Sequence, residues 1–361
     1  MSEVMSRSCQ LWTLGVASPR GVQRVAQHAE AVGWDGLYVV DSQNLSGDCY
    51  VALTMAAVVT QRLGLGTGVT NSVTRTAASN ACGIASVQRV SGGRAVLGIG
   101  RGDSALAHLG RAPARIAQFE RYLGVLQGFL SGADVAFEDI DIPLSSAPLV
   151  ASLELADGPK SSRMGWVADA LKVPVEVAAS GPKVIAIGAR LADRVMFTLG
   201  ASPERIRWGI GLARAARTAA GLDPAGVRFG AYVNLVCHPD RVVARQLVRG
   251  GLTTFARFSV MHGALSGPLD AAQREVLGQL RERYDMRAHT RADSQQAETL
   301  TDSFVDAFAI AGSAEHCVAR LRELAALGLD RIAISGPTAG ADVNEARKAV
   351  ALLETEVLPV V

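Results

Sequence analysis

The segment GIGRGDSA, residues 98–105, follows the short apolar run RAVLGIG (94–100), which is typical of a buried parallel strand. From Gly100 it reads G-R-G-D-S-A and matches the G-x-G-x-x-G/A pattern of a dinucleotide-binding turn. Such a turn requires a second strand soon after its helix, with an acidic residue at the end of that strand. Here a long amphipathic helix pattern and then an irregular stretch follow instead. The glycines therefore indicate a turn on another fold.

The rest of the chain alternates short apolar runs with longer helical patterns, as repeated βα units do. Beside 94–100, strands are predicted at 9–15, 36–41, 63–70, 173–179, 194–200, 228–238 and 330–336. Eight such units predict an α/β fold, a (β/α)8 TIM barrel, formed as a single domain over residues 1–361. Two insertions interrupt the pattern: an irregular one at 131–172, after the strand 4 helix, and a mostly helical one at 257–310, after strand 7.

Composition limits the classes of partner. The chain has 361 residues, of which 49% are hydrophobic, and a formal net charge of +2. That balance predicts neither a nucleic-acid nor a membrane partner. The five cysteines are scattered without a C-x-x-C pair, so neither a disulfide framework nor a metal site is expected. The N-terminal MSEVMSRSCQLW lacks an apolar signal core, which predicts a reduced cytoplasmic protein.

Small polar residues follow four consecutive predicted strands. Strand 2 ends in Asp41-Ser42, strand 3 in GTGVTNSVTR (66–75), strand 4 in GRGDS (100–104) and strand 5 in ASGPK (179–183). The carboxyl ends of the strands are where barrel enzymes place their sites, so a shared site is predicted, although such residues also make ordinary turns. In ASGPK, the backbone N–H groups at the start of the next helix suit a phosphate. Lys183 either adds charge there or is solvated.

Together, four motifs resemble the luciferase-like monooxygenase superfamily, the (β/α)8 flavin- and deazaflavin-dependent oxidoreductases. They are GTGVTNSVTR (66–75), VLGIGRGDSA (96–105), ASGPKVIAIGARLADRV (179–195) and FAIAGSAEHCVARLRELAALGLDRIAISGP (308–337). The closer similarity is to the methylenetetrahydromethanopterin-reductase-like branch that uses coenzyme F420. The resemblance implies hydride transfer between F420 and a small organic substrate, in a protein that forms homodimers.

The resemblance also implies roles for particular residues. The third strand would carry a bulge with a cis peptide bond at Gly68–Val69, which would lie against the back of the tricyclic ring of the coenzyme. The implied cofactor-binding residues are Ser42, Gly68, Val69, Thr70, Asn71, Gly100, Arg101, Gly102, Asp103, Ser104, Ala179, Ser180 and Gly181. Of these, Ser180 and Gly181 would hold the phosphate.

The pattern departs from known relatives at two positions. Sugar-phosphate dehydrogenases of this superfamily have histidine and glutamate where Ser42 and Arg101 stand, which argues against that activity. The reductases often carry proline at the position of Arg101, where an arginine could contact phosphate or substrate, or face outward. The sequence therefore leaves the substrate open.

Three carboxylates are candidates for proton transfer: Asp41, Asp103 and Glu176. Asp41 ranks first because it ends a strand, and it is our predicted catalytic residue. Each also has a structural reading: Asp41 or Asp103 as a cap, and Glu176 in a core ion pair. Two other functions remain open, an FMN-dependent luciferase-like monooxygenase and a flavin- or deazaflavin-binding protein without turnover.

Overall fold

The structure is a computed structural model that describes residues 9–18, 20–167, 169–261 and 265–361. Most of the N-terminal segment inspected for a signal core, residues 1–8, therefore lies outside the described residues. The strands are β1 Gln10–Gly15, β2 Gly36–Val39, β3 Gly64–Thr67, β4 Thr70–Asn71, β5 Ala95–Gly100, β6 Val175–Ala179, β7 Arg194–Phe197, β8 Arg228–Cys237, β9 Ile310–Gly312 and β10 Arg331–Ser335.

These strands form one sheet in the order β10-β1-β2-β3-β5-β6-β7-β8-β9, with β4 also paired to β5. A further pairing of β10 with β8 closes the ring. The predicted α/β TIM barrel is therefore confirmed. Its third strand consists of β3 and β4, and β9 continues the sheet beside the second half of β8.

Helices follow most of the strands, as βα units require. They are α1 Val22–Val32, α2 Cys49–Ala57, α3 Ala77–Ser91, α4 Ser104–Ala107, α5 Ile116–Leu130, α6 Pro182–Leu191, α7 Pro203–Ala219, α8 Arg241–Arg257, α9 Ala271–Arg283, α10 Gln295–Glu298, α11 Asp302–Phe308, α12 Ala314–Ala325 and α13 Val343–Leu352. Within the described ranges, none of them combines the length and the apolar character needed to cross a membrane.

Both predicted insertions have the expected character. The described residues within 131–172 form short 3-10 turns and one antiparallel bridge, between Val135 and Ser162. Residues 257–310 contain α9, α10 and α11. The FAIAG segment at the end of this insertion forms β9, which runs parallel to β8 with Leu235 opposite Ile310.

The chain divides into two compact units, which we describe one at a time. The first comprises residues 1–15, 24–38 and 176–361, and the second comprises residues 16–23 and 39–175. The prediction of a single domain over the whole chain stays a prediction.

A buried ion cluster lies in the core of the first unit. The fully buried carboxylate of Glu176 accepts hydrogen bonds from Arg194, Arg331 and Tyr38. Arg194 also donates to Asp330, with an Nε–Oδ1 distance of 2.8 Å. Burial and the charge of Glu176 raise the pKa of the Tyr38 phenol well above its ordinary value. Glu176 therefore takes its structural reading, a core ion pair.

A bulge in the third barrel strand shapes the second unit. Gly66 lies opposite Val96, but Thr70 lies opposite Ile99, so this strand has one residue more than β5 over the same interval. The Gly68–Val69 peptide bond within the bulge is cis, as the resemblance implies. Thr67 Oγ1 donates to the carbonyl of Gly98 at 2.7 Å, which fixes β5 against the bulge.

We predict that Gly98→Ala destabilises the protein, because a Cβ there would lie 2.1 Å from the carbonyl oxygen of Thr67. Overpacking against backbone costs about 1–3 kcal/mol or more in the free energy of unfolding. Gly124→Ala in α5 is the control, since a Cβ there meets nothing within 4 Å, and it should stabilise by about 0.5–1 kcal/mol. Urea denaturation measures both, and a Gly98→Ala variant as stable as the wild type would show that the bulge tolerates a side chain at this position.

Candidate functional site

The ends of β4 and β5 bring two groups of predicted cofactor-binding residues together. Asn71 pairs with Gly100 in the parallel ladder. Gly102 has a φ of +89°, and a Cβ on it would lie 3.3 Å from the Cβ of Asn71 and 2.5 Å from Cδ1 of Leu106. Only glycine allows both this backbone conformation and this close approach. The two loops therefore form one continuous edge in the second unit.

Asp41 lies at the centre of a hydrogen-bond network at this edge. Its side chain is 2% exposed and accepts a hydrogen bond from Thr70 Oγ1 at 2.7 Å. The Arg75 guanidinium contacts both carboxylate oxygens at 3.5 Å. Burial and the charge of Asp41 raise the pKa of the Cys49 thiol, which keeps it protonated. Asp41 thus acts as an acceptor for the side chains of Thr70 and Arg75.

Arg75 is a functional candidate that the sequence reasoning missed. Besides Asp41, it binds Asp48, with an Nη2–Oδ2 distance of 2.7 Å. Burial lowers the pKa of Arg75, but the hydrogen bond to Asp48 and the charge of Asp41 outweigh it, so the net shift is upward. The available signal was its position, because Arg75 ends the motif GTGVTNSVTR that already carried Thr70 and Asn71.

A buried polar layer supports this edge. Asn80 donates from Nδ2 to the backbone carbonyl of Asn71 at 3.3 Å and accepts from the hydroxyl of Tyr50 at 2.7 Å. The hydroxyl of Tyr122 donates to the carbonyl of Arg75 at 3.1 Å. These bonds hold the backbone after β4 in place. No pattern in the sequence pairs these distant residues.

The side chains of Thr70 and Asn71 are both occupied within the protein. Thr70 binds Asp41, and Asn71 Oδ1 accepts from the N–H groups of Val73 and Thr74 at 3.0 and 2.9 Å. These two residues would therefore contact a ligand mainly through their backbone atoms. The next residue differs: Ser72 is 4% exposed, and its hydroxyl has no hydrogen-bond partner among the described residues. The sequence reasoning did not single it out.

The loop after β5 contacts the loop after β2. Ser42 and Ser104 lie with their hydroxyl oxygens 3.4 Å apart. Asp103 is the N-cap residue of α4, but its side chain makes no capping hydrogen bond. Arg101 donates from Nε to the carbonyl of Ala114 at 2.6 Å, and its partial burial lowers its pKa. Arg101 is therefore tied to its own loop.

The predicted phosphate loop lies in the first unit. Ala179 ends β6, and the Ser180 hydroxyl donates to the carbonyl of Phe258 at 3.0 Å. Gly181 is the N-cap of α6, without a side-chain cap, and a Cβ on it would meet nothing within 4 Å. The N-terminus of α6 is therefore left without a side-chain cap, and the N–H groups of an uncapped first turn suit an anion. Lys183 is exposed, in agreement with the solvated reading.

These features fit a flat ring compound that carries hydrogen-bond acceptors. In the second unit the fit rests on a backbone edge with no room for a side chain at Gly102 and on the unpaired hydroxyl of Ser72. Taken by itself, the uncapped N-terminus of α6 in the first unit fits an anion. Within the described part of the chain, no group of three or more His, Cys, Asp or Glu side chains could hold a metal ion.

Comparisons with known proteins agree with this fold. The model of the family described as luciferase-like monooxygenase matches residues 4–331. Among curated proteins, the 5,10-methylenetetrahydromethanopterin reductase of Methanolobus tindarius is 28% identical over 344 residues, covering 93% of this chain and 95% of the reductase.

Two solved structures share the architecture. The F420-dependent tetrahydromethanopterin reductase from Methanopyrus kandleri superposes with a TM-score of 0.71 and 19% identity, covering 97% of this chain and 99% of that one. An F420-dependent secondary alcohol dehydrogenase, in complex with an F420-acetone adduct, gives a TM-score of 0.69 and 16% identity, covering 98% of both chains. At these identities the two structures support the fold alone. The family match, which extends over most of the sequence, shows that the chain belongs to the luciferase-like monooxygenase family, a family of oxidoreductases.

Proposed function

We propose that this protein is an F420-dependent oxidoreductase that transfers a hydride between the deazaflavin and a small organic substrate. The observation that carries the proposal is the edge formed by β4 and β5, where Asn71 lies beside Gly100 and Gly102. Cofactor-binding residues inferred from separate motifs are adjacent there. The relationship to a methylenetetrahydromethanopterin reductase along nearly the whole chain favours the same cofactor class.

The chain's own residues would bind and orient the coenzyme. We assign the ring to the backbone of Gly68–Asn71 and of Gly100–Gly102, with Ser42, Asp103 and Ser104 beside it. We assign the phosphate to Ala179, Ser180 and Gly181, where the N-terminus of α6 stabilises negative charge. When bound, the deazaflavin supplies the hydride chemistry, and the protein supplies position and electrostatics.

We assign proton transfer to Asp41, acting through the hydroxyl of Thr70. The carboxylate of Asp41 is buried, so it reaches a ligand only through a neighbouring group. Thr70 Oγ1 is 2.7 Å from Asp41 Oδ2, and its residue belongs to the predicted ring-binding segment. A proton taken up by the threonine oxygen can therefore pass to the carboxylate, and the reverse path delivers one. Arg75 holds the carboxylate in place.

Two other functions differ from this one in measurable ways. A luciferase-like monooxygenase would bind FMN, consistent with the family to which the chain belongs. A protein that only binds or stores the cofactor would show no turnover.

We also propose that the protein works as a cytoplasmic homodimer, and light scattering during gel filtration tests the dimer.

Anaerobic titration with oxidised F420 and with FMN separates the cofactor proposals. We expect saturable, one-to-one binding of F420 and at least 10-fold weaker binding of FMN, measured by the change in the absorption or fluorescence of the ring. Tight retention of FMN without binding of F420 would overturn the proposal.

Single-turnover oxidation of reduced F420 by a panel of carbonyl, imine and pterin compounds then tests for catalysis. If none of these compounds oxidises the reduced cofactor, the result favours a binding protein without turnover.

We predict that Asp41→Asn slows this single-turnover oxidation by about 10²–10⁴-fold, because the amide cannot exchange the proton that Thr70 relays. The affinity for F420 should stay within about threefold of the wild type. Asp48→Asn is the matched control, since Asp48 also pairs with Arg75 but leaves the bond between Asp41 and Thr70 in place. Near wild-type turnover in Asp41→Asn would assign this carboxylate a structural role only.

A further inference from the structure

The consecutive residues Thr70, Asn71 and Ser72 differ in the hydrogen bonds that their side chains make. Thr70 donates to Asp41, and Asn71 accepts from two backbone N–H groups of the following turn. Ser72 is also buried, at 4% exposure, yet its hydroxyl has no partner among the residues described. Only one of the three polar side chains is therefore left unsatisfied.

An unpaired buried hydroxyl costs stability, because water is lost and no protein group replaces it. The other buried serine described in the second unit, Ser91, avoids this cost. It is 6% exposed and donates from Oγ to the carbonyl of Gln88 at 3.2 Å, while accepting from the N–H of Arg94 at the same distance. Alanine would fill the volume of Ser72 without the penalty. The hydroxyl therefore destabilises the cofactor-free protein, and its presence needs another explanation.

The position of Ser72 supplies one. It directly follows β4, one residue beyond the point where Asn71 pairs with Gly100 and meets Gly102. The turn that begins there is fixed by the Asn71 side chain and by the bond from Asn80 to the Asn71 carbonyl. Ser72 is therefore held on a rigid segment at the edge that we assign to the ring. A preorganised group of this kind binds a ligand without the cost of being ordered.

We propose that the hydroxyl of Ser72 donates a hydrogen bond to a carbonyl oxygen of the bound ring, the type of acceptor that deazaflavin and flavin rings share. This assignment rests on the proposed function. It makes Ser72 a cofactor-binding residue, additional to those that the motifs imply. It also explains why a hydroxyl is present where the empty protein would be more stable with a methyl group.

The test compares Ser72→Ala with Ser91→Ala in two measurements, the melting temperature of the cofactor-free protein and the dissociation constant for oxidised F420. Ser72→Ala should melt at or above the wild-type temperature and bind F420 about 5–10-fold more weakly, the value of one hydrogen bond. Ser91→Ala should melt at a lower temperature and bind F420 normally, because it loses a satisfied bond away from the ring edge.

Each alternative result is decisive. Wild-type affinity for F420 in Ser72→Ala overturns the assignment, even if the wild-type protein binds the cofactor tightly. A fall in melting temperature like that of Ser91→Ala shows that the protein itself satisfies the hydroxyl, which also overturns it. If the wild-type protein binds neither F420 nor FMN, the proposed function fails as well, and that result is visible before any variant is made.

Discussion

The extra residue in the third barrel strand determines the geometry of the candidate site. Between the pairs Gly66–Val96 and Thr70–Ile99, this strand advances four residues while β5 advances three. The bulge changes the alternation of side chains beyond it, so that Thr70 binds Asp41. It also requires glycine at position 98, where the carbonyl of Thr67 approaches β5. The positions of Asn71, Ser72 and Arg75 all follow from this local change in register.

Two buried carboxylates show how position along a strand relates to role. Glu176 is the second residue of β6, and its partners Arg194 and Arg331 are the first residues of β7 and β10. Asp41 comes after the end of β2 and binds Thr70, the first residue of the two-residue strand β4, and Arg75 beyond that strand. In TIM barrels the amino ends of the strands serve stability and the carboxyl ends carry the site. The two networks agree with that division.

The sequence was sufficient to predict the barrel, because hydrophobic periodicity and the glycines that end helices are local signals. Predicted strand limits lie within a few residues of those observed, as at 94–100 for Ala95–Gly100. The bulge and the cis bond at Gly68–Val69 were predicted from the resemblance alone, because the sequence of a strand does not show its register against the neighbouring strand. Side-chain partners were less accessible. The pairing of Arg75 with Asp41 and of Arg101 with the carbonyl of Ala114 depends on how distant segments meet, and the unpaired hydroxyl of Ser72 shows only once its surroundings are known.

The central claim is that the edge formed by β4 and β5 holds the ring of a deazaflavin. A crystal structure of the wild-type protein with bound F420 tests it most directly. The account predicts electron density for the ring against Gly68–Asn71 and Gly100–Gly102, with a carbonyl oxygen of the ring about 2.7–3.0 Å from Oγ of Ser72. A ring bound elsewhere, with the backbone of these two segments free of ligand contacts, would contradict the account.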